Sequence, residues 1–159
     1  MPLLRSWVDS ANQPDTGFPL NNLPCGVFST VDTGPRCGMA IGDFVLDLGG
    51  LEANGILRLP GGPLLGLPFW NGVMAAGPDG WRDLRAQVTA LLEEGSDLQA
   101  ATVRYLVPQS AVTLHLPFTL SEYTDFYASR HHATNVGTMF RGAENALPPN
   151  WLHIPIGYN

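Results

Sequence analysis

The sequence has no lysine: all eight of its positive charges are arginine, in a chain of 159 residues. Schiff-base lysine chemistry and a P-loop lysine are therefore excluded from this stretch of chain. Cysteine is nearly as scarce. Cys25 and Cys37 allow one disulfide, cannot form a framework, and cannot complete a four-ligand structural zinc site by themselves, so they read as reduced thiols of a cytoplasmic protein. The first fifteen residues have no apolar stretch fit for a signal-peptide core and carry Arg5, Asp9 and Asp15, so secretion is not expected. Long hydrophobic runs are also missing. Leu59 to Pro78 carries no charge, but Pro60, Pro63, Pro68 and Pro78, with Gly61, Gly62, Gly66 and Gly72, would break a spanning helix repeatedly. It reads as an irregular apolar segment packed on a core. Charged residues make up only 14% of the chain and the formal net charge is −6, which offers no uniform attraction to nucleic acid or to an anionic membrane. The arginines are scattered, and neither partner is expected.

What is present suits a folded domain. With 45% hydrophobic residues, the chain can bury about two-thirds of its unfolded surface without disulfide or metal. Its length fits one domain, or one small domain and a piece of another. The fold class reads as mainly β with short helices. Cys25 to Val31 is a strand candidate, followed by the turn residues Asp32-Thr33-Gly34-Pro35. Met39-Ala40-Ile41 and Phe44-Val45-Leu46 flank Gly42-Asp43, a two-residue hairpin loop whose glycine can take the positive φ of a type II′ turn. From Asp79 the period changes. Trp81, Leu84, Val88 and Leu91 recur at helical spacing, with Asp79 able to cap the first turn and Gly95 to close the last. A short helix is predicted from Asp97 to Tyr105, and Val112 to Pro117 returns to alternating β character. Beyond Thr119 the composition shifts toward histidine and asparagine, which sets a boundary between residues 1–118 and residues 119–159.

The run from Ser121 to Gly137 carries the chemistry. If Tyr123 to Tyr127 is extended, Tyr123, Asp125 and Tyr127 share one face, placing a carboxylate beside phenols a few residues before the pair His131 and His132. Such a group offers an oxygen ligand for a hard cation, hydroxyl donors for substrate oxygens, and an imidazole able to accept a proton near neutral pH. Arg141 adds a forked donor suited to a carboxylate. Each has an ordinary alternative, and pattern alone favours it: Asp125 as a turn or cap residue, the histidines as surface residues, Tyr127 as a half-buried aromatic. One Asp does not make a metal site. His115 and His153 read as structural residues.

A longer set of ordered motifs changes that balance. Tyr123-Thr124-Asp125-Phe126-Tyr127, Ser129, His132-Ala133-Thr134-Asn135-Val136-Gly137, Phe140-Arg141-Gly142, Pro149-Asn150-Trp151 and Pro155-Ile156-Gly157-Tyr158 together resemble the fumarylacetoacetase family. Phe18 to Ser29, Ala40-Ile41-Gly42-Asp43 and Leu114-His115-Leu116-Pro117 resemble its amino-terminal domain, and the likeness is weakest from Leu51 to Val107. The resemblance implies an SH3-like β-barrel over residues 1–118, followed over 119–159 by the start of a mixed-β (β-roll) catalytic domain. It implies metal-dependent hydrolysis of the carbon–carbon bond of 4-fumarylacetoacetate to fumarate and acetoacetate, in tyrosine and phenylalanine degradation. By the same resemblance Asp125 matches a ligand of Ca²⁺ or Mg²⁺. His132 matches the base that activates water, and Tyr127, Arg141 and Tyr158 match substrate-binding positions. His131 matches a variable position and receives no role.

The family's other metal carboxylates, the acid that orients the histidine, and a lysine and glutamine that steady the departing carbanion are expected beyond position 159. The chain is thus expected to be an amino-terminal fragment, inactive alone, of a cytoplasmic homodimeric enzyme. A strand over Tyr123 to Tyr127 would then be short of sheet partners. The rival expectation is a non-catalytic truncated β-domain serving as a folding or interaction module; a third is a relative acting on another diketo acid.

Overall fold

In the computed structural model, which describes residues 3–159, Gly42-Asp43 joins strand β2 (Arg36–Ile41) to β3 (Phe44–Asp47), with Ile41 opposite Phe44. Gly42 alone of the pair takes a positive φ, 50°, as a type II′ turn requires. A Cβ there would overlap the Ser10 hydroxyl and lie 2.6 Å from the Ala11 nitrogen, so the turn also needs glycine for space. Strand β1 (Cys25–Ser29) pairs antiparallel with β2. The short strands β4 (Leu106–Pro108) and β5 (Thr113–His115) complete a sheet of order β4-β3-β2-β1-β5. This curled antiparallel sheet with short helices is a half-barrel, consistent with an SH3-like amino-terminal domain.

Two strand expectations shift in detail. β1 ends at Ser29 rather than Val31, because the Thr30 N–H turns to the Thr33 carbonyl and leaves Val31 98% exposed. β5 forms where alternation predicts it, yet all three of its residues are exposed. It is an edge strand whose one sheet neighbour among the described residues is β1, and burying one face would require more than the sheet provides.

The helical expectation around Trp81 holds with a different start and a different end, since Glu93 in extended backbone closes the helix and Gly95 stands two residues beyond it. Helix α1 (Leu48–Ala53) follows β3 directly, and α2 (Asn71–Ala75) leads into α3 (Gly77–Leu92). α3 begins two residues before Asp79, because Pro78 is preorganised for the first turn and loses no hydrogen bond there. Asp79 therefore sits inside the first turn and pairs with Arg82 instead of capping. Leu84, Val88, Leu91 and Leu92 are buried, and Trp81 stacks on the buried Trp70 with ring centroids 5.4 Å apart. The helix predicted from Asp97 to Tyr105 is α4 (Gln99–Thr102) continued by a 3-10 turn, Val103–Tyr105.

The Leu59 to Pro78 segment packs as expected, burying Leu59, Leu65, Trp70 and Val73. None of the helices among the described residues is long and apolar enough to cross a membrane. Glu52 holds this segment by accepting the N–H groups of Leu64 and Leu65 at 3.0 and 2.6 Å. The N-terminal strap ties down the end of α3: Ser6 Oγ donates to the Leu92 carbonyl at 2.6 Å and the Trp7 indole to that of Leu91 at 2.8 Å. These carbonyls belong to the last turn, which has no partners of its own.

At the β3–α1 junction one carboxylate serves two elements. Asp47 receives a bidentate contact from Arg36, both distances 2.8 Å, and accepts the Gly50 N–H at 2.9 Å as the α1 N-cap. Arg36 also lies over the Phe28 ring, 4.6 Å from its centroid. Cys25 and Cys37 are free thiols. Cys25 opposes Met39 while Cys37 opposes Val27, so they are diagonal neighbours at about 7–8 Å, outside ordinary bridging distance.

The chain divides after Thr119, and Leu120–Asn159 forms a second unit. It contains β6 (Asp125–Phe126), helix α5 (Arg130–Arg141) and β7 (Gly157–Tyr158), with β6 antiparallel to β7. The strand expected over Tyr123 to Tyr127 is thus only two residues long, with one partner strand, β7, in the chain itself.

Replacing Asp47 with Ala should cost about 3 kcal/mol in urea unfolding, because it leaves the largely buried Arg36 without a counter-charge and α1 without its cap. Burial pushes the Cys37 thiol from the ordinary 9.0 to about 12. Since the folded thiol holds its proton longer than the unfolded one, stability should be level below pH 9 and fall as pH rises toward 12. Thermal melts across that range should show the fall, and Cys37→Ala should reduce it.

Candidate active-site segment

Residues 120–159 bring several of the candidate side chains together around Tyr127. Asp125 lies directly across the β6/β7 ladder from Tyr158. Directly opposed residues of an antiparallel pair share a face with Cβ atoms about 5 Å apart, so a carboxylate and a phenol lie side by side in an exposed position. Tyr127 follows at the end of β6, with its N–H on the Ile156 carbonyl at 2.8 Å. Its hydroxyl donates to the Ala133 carbonyl in α5 at 3.1 Å, and its ring meets that of His132 nearly edge-on, 5.7 Å between centroids and 82° between planes.

His132 owes its place to the start of α5. Ser129 is the N-cap: its Oγ accepts the His132 N–H in a long contact of 3.4 Å, and its carbonyl accepts the Ala133 N–H at 2.8 Å. His132 is exposed, three residues past the cap. The packed face of α5 consists of Ala133 and Gly137, one turn apart. Gly137 has no room for a side chain, since a Cβ would overlap the Ala146 carbonyl, so the helix lies flush on the chain that follows it.

Arg141 is placed differently. It sits at the far end of α5 from His132, where Nε donates to the Asn145 carbonyl at 3.1 Å and Nη2 to that of Ala146 at 2.7 Å. Two of its nitrogens therefore hold the turn after the helix, and Nη1 has no protein partner among the described residues. His131 is exposed. His153 is exposed beside a cavity of about 310 Å³ lined by Phe126, Tyr127, Trp151 and Ile156. His115 bonds the Ser29 hydroxyl through Nε2 at 2.8 Å across the β1/β5 ladder, a structural contact in the first unit. Among the described residues, no group of three or more His, Cys, Asp or Glu side chains is positioned to hold a metal ion. Asp125 supplies one oxygen donor, and a hard cation takes six to eight.

A family model described as fumarylacetoacetase N-terminal matches residues 21–117, more than half of the chain. The chain belongs to that family. It is 46% identical to the fumarylacetoacetase of Bos taurus and 44% identical to that of Homo sapiens, in each case over 91% of this chain and 36% of the relative. The fumarylacetoacetase of Dictyostelium discoideum is 41% identical over 100% of this chain and 38% of its own length. The chain thus spans little more than a third of the curated relatives it matches. The fumarylacetoacetase N-terminal match lies within the first unit, while the similarity to the Dictyostelium protein also runs through residues 120–159.

Within this fumarylacetoacetase N-terminal chain, three residues matter to the segment that sequence reasoning did not single out for a role. Ser129 was legible in principle, standing at N-cap spacing before His132 with Gly142 at the helix end. Gly137 stood in a motif of the family resemblance but its packing had no signal, because a helix face of Ala and Gly leaves no hydrophobic period. Trp151 stood in a motif of the family resemblance without a role; its indole donates to the Tyr127 carbonyl at 2.8 Å, a contact made only in three dimensions.

Gly137→Ala should destabilise the second unit by about 2 kcal/mol, since an added methyl must displace backbone. Hydrogen exchange should speed up at the amides of residues 130–146 and stay unchanged in the first unit.

Proposed function

We propose that this chain is the amino-terminal portion of a fumarylacetoacetase, which in its complete form hydrolyses 4-fumarylacetoacetate to fumarate and acetoacetate in tyrosine and phenylalanine degradation. The observation that carries this reading is similarity to a fumarylacetoacetase along 100% of the chain, including the segment from Asp125 to Tyr158. The local geometry supports it: His132 lies edge-on to Tyr127, and Tyr158 lies across the ladder from Asp125.

In this reading His132 takes a proton from water, whose oxygen attacks a carbonyl of the diketo acid. The carbon–carbon bond then breaks, its electron pair leaving with the acetoacetate fragment, which is protonated. Tyr158 holds a substrate oxygen, Tyr127 does so once its hydroxyl gives up the Ala133 carbonyl, and Arg141 offers Nη1 to a substrate carboxylate so that the scissile carbonyl faces the water. Asp125 would contribute one ligand for Ca²⁺ or Mg²⁺, whose Lewis acidity stabilises charge on the diketo oxygens. Further donors must come from more of the protein than these residues. The working enzyme is a cytoplasmic homodimer in this reading, residues 1–118 forming its SH3-like domain and residues 119–159 the start of its catalytic domain.

The reading of a non-catalytic module draws on one feature, the separate core of the first unit. In the full-length protein, His132→Ala should abolish fumarylacetoacetate hydrolysis, measured as loss of substrate absorbance, and leave calorimetric Ca²⁺ binding intact. Unchanged turnover would exclude the base assignment. The 159-residue chain alone should show no hydrolysis, and a wild-type rate from it would refute the need for donors beyond it.

A further inference from the structure

The hydrogen bonds around Tyr127 form a connected path that the proposed chemistry does not use. The Tyr127 carbonyl accepts the Trp151 indole N–H at 2.8 Å, and its N–H donates to Ile156 at 2.8 Å. Both backbone polar groups are therefore held by the segment from Trp151 to Ile156. On the other side, the Tyr127 hydroxyl reaches the Ala133 carbonyl, and its ring edge meets His132.

Trp151 is half-buried within the 3-10 turn Pro149–Leu152. An indole N–H in that setting needs an acceptor, and a carbonyl that loses its donor becomes an unsatisfied group. The 310 Å³ cavity borders both residues, so a released Tyr127 backbone has space to move into. Ser129 fixes the helix axis, but its contact is to backbone and does not set the His132 ring. The Tyr127 ring is the aromatic neighbour in edge contact with His132, and Trp151 holds the backbone from which that ring projects.

We propose that Trp151 is a positioning residue for His132, its indole N–H fixing Tyr127 and, through the Tyr127 ring and hydroxyl, the imidazole. This rests on the reading of His132 as the hydrolytic base. Trp151→Phe is the informative variant, because it keeps an aromatic filler and removes the donor.

In the full-length protein, Trp151→Phe should lower kcat for fumarylacetoacetate about tenfold or more, as a displaced base does, with KM rising by a smaller factor because Tyr127 also holds substrate. Trp151→Phe combined with Tyr127→Ala should be little worse than Tyr127→Ala alone, because the ring and hydroxyl through which Trp151 acts are then absent. An unchanged kcat overturns the proposal, and so does a loss shared equally by kcat and the folded fraction. The second measurement needs no activity: in the 159-residue chain, the ring resonances of His132, assigned with His132→Gln, should shift in Trp151→Phe while those of His115 stay in place. Resonances of His132 that do not move refute the positioning role. A shift of His132 in a full-length protein inert toward the diketo acid would instead keep the positioning role and refute the function proposed above.

Discussion

Irregular backbone can be held only where its polar groups find partners, and in this chain the tryptophan indoles supply that need. Trp7 donates to Leu91, Trp70 to Gly26 and Trp151 to Tyr127, each at 2.8 Å. A chain with 18 Gly and 14 Pro has long stretches that no helix or ladder can satisfy, so a large apolar ring with one donor is well suited to it. Each indole packs its body and spends its N–H on a carbonyl distant in sequence. Trp81 takes the remaining task by stacking on Trp70, which joins α3 to the irregular apolar segment.

Carboxylates do the complementary work on N–H groups. Glu52 collects two amides of the Leu59 to Pro78 segment, and Asp47 caps α1 while gripping Arg36. The sheet is small and its edge strands are three residues long, so its shape depends on what is tied to it as much as on its ladders. The second unit follows the same logic with less material. A two-residue ladder, a capped helix and one indole bond hold Asp125, Tyr127, His132 and Tyr158 in a defined neighbourhood.

Much of this was legible in the residues. Gly42-Asp43 between apolar triplets specifies a hairpin because only glycine takes that φ freely, and the hairpin is there. The stripe of Leu84, Val88 and Leu91 specifies a helix, and it is buried. The ordered motifs from Tyr123 to Tyr158 pointed to the family whose amino-terminal model matches the chain. Helix α5 was legible only at its ends, Ser129 and Gly142, because its packed face of Ala133 and Gly137 has no hydrophobic period to read. Nor was the exposure of β5: alternation shows which residues share a face and says nothing about whether that face is covered.

The sequence by itself determined the kinds of chemistry available and the local turns. It excluded amine catalysis in this stretch by lacking lysine, and it fixed the hairpin, the long helix and the candidate residues by type and order. Tertiary structure alone decided who touches whom. It set Asp125 across from Tyr158, spent two of the Arg141 nitrogens on the following turn, and set Trp151 on the Tyr127 carbonyl. The physical reason is range: φ preferences and periodicity act between residues a few positions apart. The contacts that orient a side chain are made between segments whose separation in sequence carries no trace of their meeting.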